Sequence, residues 1–432
     1  MAQNPSDVAS ATDELRTPEE KRKVALTWVA VLGAIAIFSL RRPDVAYTIL
    51  MFVITLSVLV FVHEWGHYQF GRWGGMKINR FAIGFPPFIY TKRKNNIDYS
   101  IGALPIGGMV DIAGLGSEEE MVATSKGQAS PVAAPNPHKP HGQKNFQDAT
   151  LGWRFMTLFA GPLMNFIFAL VVFAAMFSLA GIPDKITVTN QVDVVQPYTP
   201  AFRAGLHSDD KIIGINDVRT TDNQKLRDLI RKSNGEEITV VVQRGSQVLR
   251  LPMTPQFEEQ EKADGTKERA PIIGIMFLAR VDSYQRVGLF SGENGFRDSA
   301  IGLGMLQSRL LAESIFGLLR RAVTLQLTES DKRAVGGPVK IAQTVGHSVK
   351  RSWQEWVLLA GSLSVNLGLM NLLPIPALDG GRIMFILYEA IMRRPFDHRK
   401  ESYVNAFGMV MVLAFMLFMT FRDVLPMLQK AF

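Results

Sequence analysis

TILMFVITLSVLVFVHEWGH, residues 48–67, runs from Thr48 to Val62 without one charged residue and then closes on His63, Glu64 and His67. An uncharged apolar run of this kind suits a bilayer, whose core takes roughly 20 such residues per helical span. Ionisable groups at its end are costly there unless they pair, ligate or line water. On a helix the two histidines, four apart, project from one face and are close enough to hold one divalent ion, with Glu64 turned to the side where a water would sit. Two histidines satisfied only by hydrogen bonds are the plainer alternative, and the apolar setting argues against it.

Working outward, four more apolar runs are candidates for spans: Val24 to Leu40, Phe155 to Ile182, about Val357 to Leu373, and Val404 to Phe421. Lys21, Arg22 and Lys23 precede the first of these as in a signal peptide, but no small-residue cleavage site follows before Arg41 and Arg42, which favours a retained span. The chain of 432 residues is 47% hydrophobic, which excludes a disordered or fibrous protein. It has no cysteine, so disulfides, thiolate zinc sites and a cysteine nucleophile are excluded, and any metal must be held by His, Asp, Glu or water. The net charge of +8 has two possible sources, a nucleic-acid face or cytoplasmic loops. Its position decides: Arg72, Lys77, Arg80, Lys92, Arg93, Lys94, Lys126, Lys139 and Lys144 follow the run that leads into His63, Ala46 to Val62, and Arg393, Arg394, Arg399 and Lys400 lie between the last two. By the positive-inside rule these loops are cytoplasmic, no nucleic-acid partner is expected, and residues from about 183 to 354 are extracytoplasmic.

The resulting organisation is an N-terminal tail (1–23), N-terminal spans carrying His-Glu-x-x-His (24–70), a cytoplasmic region (71–152), a span (153–182), an inserted α+β domain (183–258), an extracytoplasmic or interfacial helical region (259–354) and C-terminal spans (355–432). Ser117 to Gln143 is too polar and proline-rich to bury a core and reads as a linker, so His138 and His141 are expected to be solvated. Residues 186–254 alternate short β-like stretches with one helical segment over Asn223 to Lys232 and turn signals at Asn234-Gly235 and Gly245. Ala300 to Leu325 reads as an amphipathic helix.

Catalytic zinc usually has three protein ligands and one open position, so a third ligand is owed. The other histidines fall in the linker, on the outer side or in a charged loop. Asp379, closing the fourth run in NLLPIPALDGG (371–381), lies on the same side as His67 and is better placed. Pro374 and Pro376 break the helix there, which a membrane tolerates beside a polar cavity or other protein.

HEWGH, NLLPIPALDGG, AGPLMN (160–165) between them, and a TPAFRAGLHSDDKIIGINDVRT stretch (199–220) like that of bacterial PDZ domains together resemble the site-2 protease family of intramembrane zinc metalloproteases. The likeness is to the bacterial RseP type, which trims membrane-bound anti-sigma factors. It implies a polytopic α-helical membrane protein: a four-span core, here with a further N-terminal span, one inserted PDZ-like domain, and a membrane-reentrant β-loop over about Met76 to Ile112. It implies Zn2+ held by His63, His67 and Asp379, Glu64 as general base, and Asn371 binding the substrate backbone or an oxyanion. The implied partners are the lipid bilayer and single-pass membrane substrates. An unwound substrate is expected to add as a strand to the reentrant loop, about Arg80 to Tyr90, and the PDZ-like domain either contacts substrate or a peptide or is a packing module with no ligand. The implied setting is the bacterial inner membrane, with the active site toward the cytoplasm and the PDZ-like domain outside. The chain departs from the family in its extra N-terminal run, in having one PDZ-like domain where the best-known members have two, and in Arg382 after Gly-Gly where many relatives carry His. A catalytically silent scaffold would not need the His, Glu, His and Asp set, and a metal transporter would spread such residues along several helices rather than gather them at one end.

Overall fold

The structure is a computed structural model that describes residues 39–115, 140–261, 267–292 and 294–431. The first apolar run, apart from Ser39 and Leu40, most of the linker and His138 lie outside the described residues. In chain order the elements used below are α1 (Pro43–Trp73), β1 (Ile78–Lys94), β2 (Ile97–Ile112), α2 (Leu151–Leu179), β3 (Ile182–Val195), β4 (Lys211–Ile215), β5 (Val218–Arg219), α3 (Asn223–Lys232), β6 (Ile238–Arg244), β7 (Gln247–Met253), β8 (Gln256–Glu261), β9 (Lys267–Ile272) and β10 (Ile275–Gln285). They continue with α4 (Ala300–Val323), α5 (Pro338–Arg351), α6 (Trp353–Leu372), α7 (Asp379–Met392) and α8 (His398–Ala431). The chain divides into two units. The first ends at Phe173 and resumes over Gly304–Ala312 and Lys340–Leu417; the second holds Ala174–Leu303, Glu313–Val339 and the remainder from Phe418.

In the first unit, Pro43 opens α1 at a position where its missing amide proton costs nothing. At 1.5 Å per residue the 31 residues of α1 reach about 46 Å, more than a bilayer core. Among the described residues α1, α2 and the Lys400–Leu425 part of α8 are long and apolar enough to cross a membrane. Protein buries 44% of the apolar window of α2 against 11% for α1 and for α8, which makes α2 the interior helix of the three. The fourth expected run forms α6, a 20-residue helix started by the Ser352 hydroxyl accepting from the Glu355 amide at 3.1 Å, but it is less apolar than the other three. Its polar side chains make the bundle's internal bonds: Ser364 Oγ donates to the Asn165 carbonyl at 2.9 Å, and Trp356 Nε1 donates to Thr55 Oγ1 at 2.9 Å.

β1 and β2 form a sheet that is more folded than a plain hairpin. Asn95 and Asn96, both at positive φ (52° and 60°), turn the chain between them. Arg80 pairs with both Asp98 and Asp111, and Ile83 with both Ile101 and Gly108, so the first half of β1 lies between the two halves of β2. The free edges are therefore residues 88–94 and 108–112. Residues 80–83 are already paired on both sides, so of the stretch Arg80 to Tyr90 expected to capture substrate only the part from Phe88 lies on a free edge. Tyr68, Ile78, Phe81, Ile112, Phe146 and Ile383 share one buried cluster that joins this sheet to α1 and α7.

The second unit holds a sheet in the order β10-β3-β4-β6-β7, with β5 paired to β4. Asp222 caps α3 by accepting from the amides of Gln224 and Lys225. Leu206, Ile212, Leu226, Ile238, Val240 and Ile273 are among the residues that fill its core. This α+β body runs past the expected boundary at 258, because β10 pairs with β3 from Ile275↔Val195 to Gln285↔Ile182. The region expected to be helical over 259–354 accordingly begins with strands, β8 and β9 pairing as a hairpin before β10. The amphipathic segment forms α4 as expected, with Ser299 Oγ accepting from the Gly302 amide at its start.

Candidate metal centre

His63 and His67 project from one face of α1 and are buried, at 6% and 8% exposure. Gly161 of α2 lies directly against their rings: a Cβ there would fall 2.3 Å from His67 Nε2 and 2.9 Å from His63 Cε1. The approach is mutual, since a Cβ on Gly66 would fall 2.3 Å from the Ala160 carbonyl oxygen. Asp379 arrives from the far side of the chain. The end of α6 at Leu373 and the turn over Pro374–Leu378 reverse the backbone, and Asp379 opens α7.

His63 Nε2 and His67 Nε2 are 3.2 Å apart, and Asp379 Oδ2 lies 3.1 Å from the first and 3.4 Å from the second. Among the described residues this is the one group of three or more such side chains whose ligand atoms converge. Tetrahedral ligands about 2.0–2.1 Å from zinc are separated by about 3.3 Å, so the observed triangle has the dimensions a zinc ion requires. Three lone-pair atoms this close also need a cation or shared protons between them, which the donor set supports as a metal site.

The other ring nitrogens fix the orientation of the rings. His67 Nδ1 lies 2.8 Å from the Thr157 carbonyl, to which it donates when Nε2 ligates. The fully buried Asn165 amide comes within 3.0 Å of His63 Nδ1. The atom placed there is Asn165 Nδ2, and Asn165 Oδ1 is buried without a partner. A histidine that ligates through Nε2 carries its proton on Nδ1, so turning the amide over gives that proton the oxygen as acceptor and gives the oxygen its partner. Glu64 is held from the sheet: its carboxylate accepts from the Val110 backbone amide, and a Cβ on Gly108 would fall 3.1 Å from its Cγ. Asn371 Nδ2 lies 3.3 Å from His63 Nε2, at the rim of the triangle. All five residues expected from the sequence are thus brought to one place. The sequence marks neither Thr157 nor, beyond its place in AGPLMN, Asn165; an unbroken apolar helix gives no local sign of which polar groups meet a ring across it. His141 and His347 are exposed and, like His207, are not part of the cluster.

A helix-borne His-Glu-x-x-His joined by a remote aspartate, in a chain with several span-length apolar helices, defines a zinc metalloprotease of the multi-pass membrane class. The model of Peptidase family M50 matches residues 51–415, and the chain belongs to that family, the site-2 proteases. Relatives with provisional names as zinc metalloproteases include one from Agrobacterium fabrum, 31% identical over 87% of this chain and 95% of its own length. Another, from Rhizobium meliloti, is 33% identical over 89% of this chain and 98% of its own length. A third, from Staphylococcus aureus, is 29% identical over 87% and 98%. A solved structure described as the PDZ domain of an SdrC-like protein from Listeria monocytogenes matches 20% of this chain and 85% of that one, at 22% identity and a TM-score of 0.17, too low to bear on the fold.

Proposed function

We propose that this metalloprotease hydrolyses a peptide bond in or near the transmembrane segment of single-pass membrane proteins, in regulated intramembrane proteolysis at the bacterial inner membrane. Anti-sigma-factor-like proteins or signal-peptide remnants are the substrate class. The observation that carries this reading is the His63, His67 and Asp379 triangle, with Glu64 beside it, at the end of an apolar helix. His63, His67 and Asp379 hold the zinc, which when bound supplies Lewis acidity that makes a water acidic near neutral pH and polarises the scissile carbonyl.

The remaining work falls to this chain's own side chains. Glu64 takes a proton from the attacking water and delivers it to the leaving amine nitrogen. The Val110 amide keeps the Glu64 carboxylate turned to that task. Asn371 Nδ2, at the rim, donates to the substrate carbonyl as negative charge develops on its oxygen. Thr157 and Asn165 lock both imidazoles, so no reorganisation accompanies the reaction.

A transmembrane helix hides its amides in its own hydrogen bonds, so the substrate must be unwound before cleavage. The edge at residues 108–112 runs beside Glu64 and offers strand pairing to the opened segment. The same sheet supports a reentrant reading: Phe85, Ile89, Tyr90 and Leu104 are exposed apolar residues near one end, and Lys92, Arg93 and Lys94 mark the opposite turn. The basic loops orient the site toward the cytoplasm, and the PDZ-like body, on the outer side, screens substrates by the bulk of their outer portion.

The function is tested with purified protein and a single-pass substrate shortened on its outer side, both in vesicles. Cleavage is expected to stop when zinc is stripped by a chelator and to return on adding zinc; activity that survives complete metal removal would refute the reading. The capture edge has its own test. Because the chain has no cysteine, Met109→Cys in a Glu64→Gln background provides a unique thiol. It should form a disulfide with a cysteine near the scissile bond far more readily than Arg93→Cys on the opposite edge, and equal or reversed yields would remove this edge as the capture site.

A further inference from the structure

The turn that presents Asp379 is held from outside as well as by its own bonds. Pro374 and Pro376 have no amide proton to contribute. Ala377 sits at φ +77°, a left-handed conformation that a residue with a Cβ adopts only when its surroundings impose it. The imposing contact comes from α8: the Ala377 amide donates to Asn405 Oδ1 at 3.3 Å. One turn further along α8, Gly408 is buried, and a Cβ there would fall 2.4 Å from the Pro376 carbonyl oxygen. Residues 405 and 408 share a helix face. That face grips Pro376 and Ala377, two residues before the carboxylate that meets both histidines.

We propose that Asn405 is a positioning residue for the metal centre: by accepting the Ala377 amide it holds the turn in the one conformation that aims Asp379 at His63 and His67. This rests on the reading that those three residues hold zinc. Without the acceptor, Ala377 relaxes to negative φ, the following peptides rotate, and the carboxylate leaves the triangle. Gly408 serves the same arrangement by admitting Pro376 against the helix.

The test uses the full chain in detergent and reads zinc affinity by competition with a chelator, together with the melting temperature of the zinc-free protein. Asn405→Ala should weaken zinc binding about 10- to 100-fold, the range found when outer supports of metal ligands are removed. The zinc-free melting temperature should stay near wild type, and Asn405→Asp, which keeps an acceptor oxygen, should retain most of the affinity. In an Ala377→Gly background, where glycine takes positive φ freely, Asn405→Ala should cost less. Wild-type affinity in Asn405→Ala would overturn the proposal, as would an affinity loss that tracks a fall in zinc-free stability and is unchanged by Ala377→Gly. Asp379→Asn separates the two readings: if it leaves zinc affinity intact the metal site itself is wrong, whereas if it abolishes binding and Asn405→Ala does not weaken it, only the positioning role fails.

Discussion

Glu64→Gln is expected to keep zinc at the wild-type ratio and to reduce cleavage by about 10^2- to 10^4-fold, the range that a positioned general base contributes. The substitution preserves shape, and the glutamine oxygen still accepts from the Val110 amide, so the wall of the site stays in place. What disappears is the capacity to take a proton from water and return it to the amine. Zinc is retained because the converging atoms belong to His63, His67 and Asp379, not to Glu64. Metal analysis and a cleavage assay on the same preparation check both halves. Loss of zinc in this variant would make Glu64 a ligand rather than a base, and undiminished cleavage would move the chemistry elsewhere. A silent scaffold predicts no cleavage in the wild type either. A metal transporter predicts that zinc flux, not peptide hydrolysis, is the quantity that changes.

Much of this centre could be read locally. Two histidines four apart meet on any helix, so their pairing needed no knowledge of the fold. Asp379 was reachable because only certain polar residues lie at the inner ends of apolar runs, and charge bias puts two such ends on one side. The supports were not reachable in this way. His67 bonds the carbonyl of Thr157, which every residue type possesses, and Gly161 matters only because α1 crosses α2 at that point. Neither fact leaves a mark on local periodicity. The strand β10 escaped for a related reason. Its residues pair with β3, eighty or more positions earlier, and alternation over IMFLARVDSYQ does not reveal which sheet it completes. The polar residues of α6 carry information of another kind: the serines and asparagines that dilute it as an apolar run include Ser364, bonded to Asn165, and Asn371, at the metal rim. Where an expected apolar run falls short in hydropathy, the polar residues responsible are the ones to test for a site.

The close approach at Gly161 leads to the second large effect. Gly161→Ala adds one methyl group, and built on the present backbone that carbon falls 2.3 Å from His67 Nε2 and 2.5 Å from His67 Cε1. A long surface side chain would swing aside, but His67 is 8% exposed and its other nitrogen is engaged with Thr157 at 2.8 Å, so the ring cannot yield without losing that bond. Nor can the helices part cheaply, because Gly66 seats against Ala160 in the same crossing. The ligand nitrogen must therefore leave the triangle, and two N/O ligands do not make a zinc site. Zinc content should fall to background and cleavage with it, a loss larger than any support residue produces. Gly152→Ala on the same helix is the matched control, since a Cβ there meets nothing within 4 Å, and it should leave metal and activity unchanged. Folding is separated from binding by the melting temperature: the wild type rises as zinc is added, because ligand bound only to the folded state stabilises it. Gly161→Ala should melt cooperatively at a temperature insensitive to zinc. A variant that still shows the full zinc-dependent rise would mean that His67 is not a ligand and that α2 does not form the wall of the metal centre.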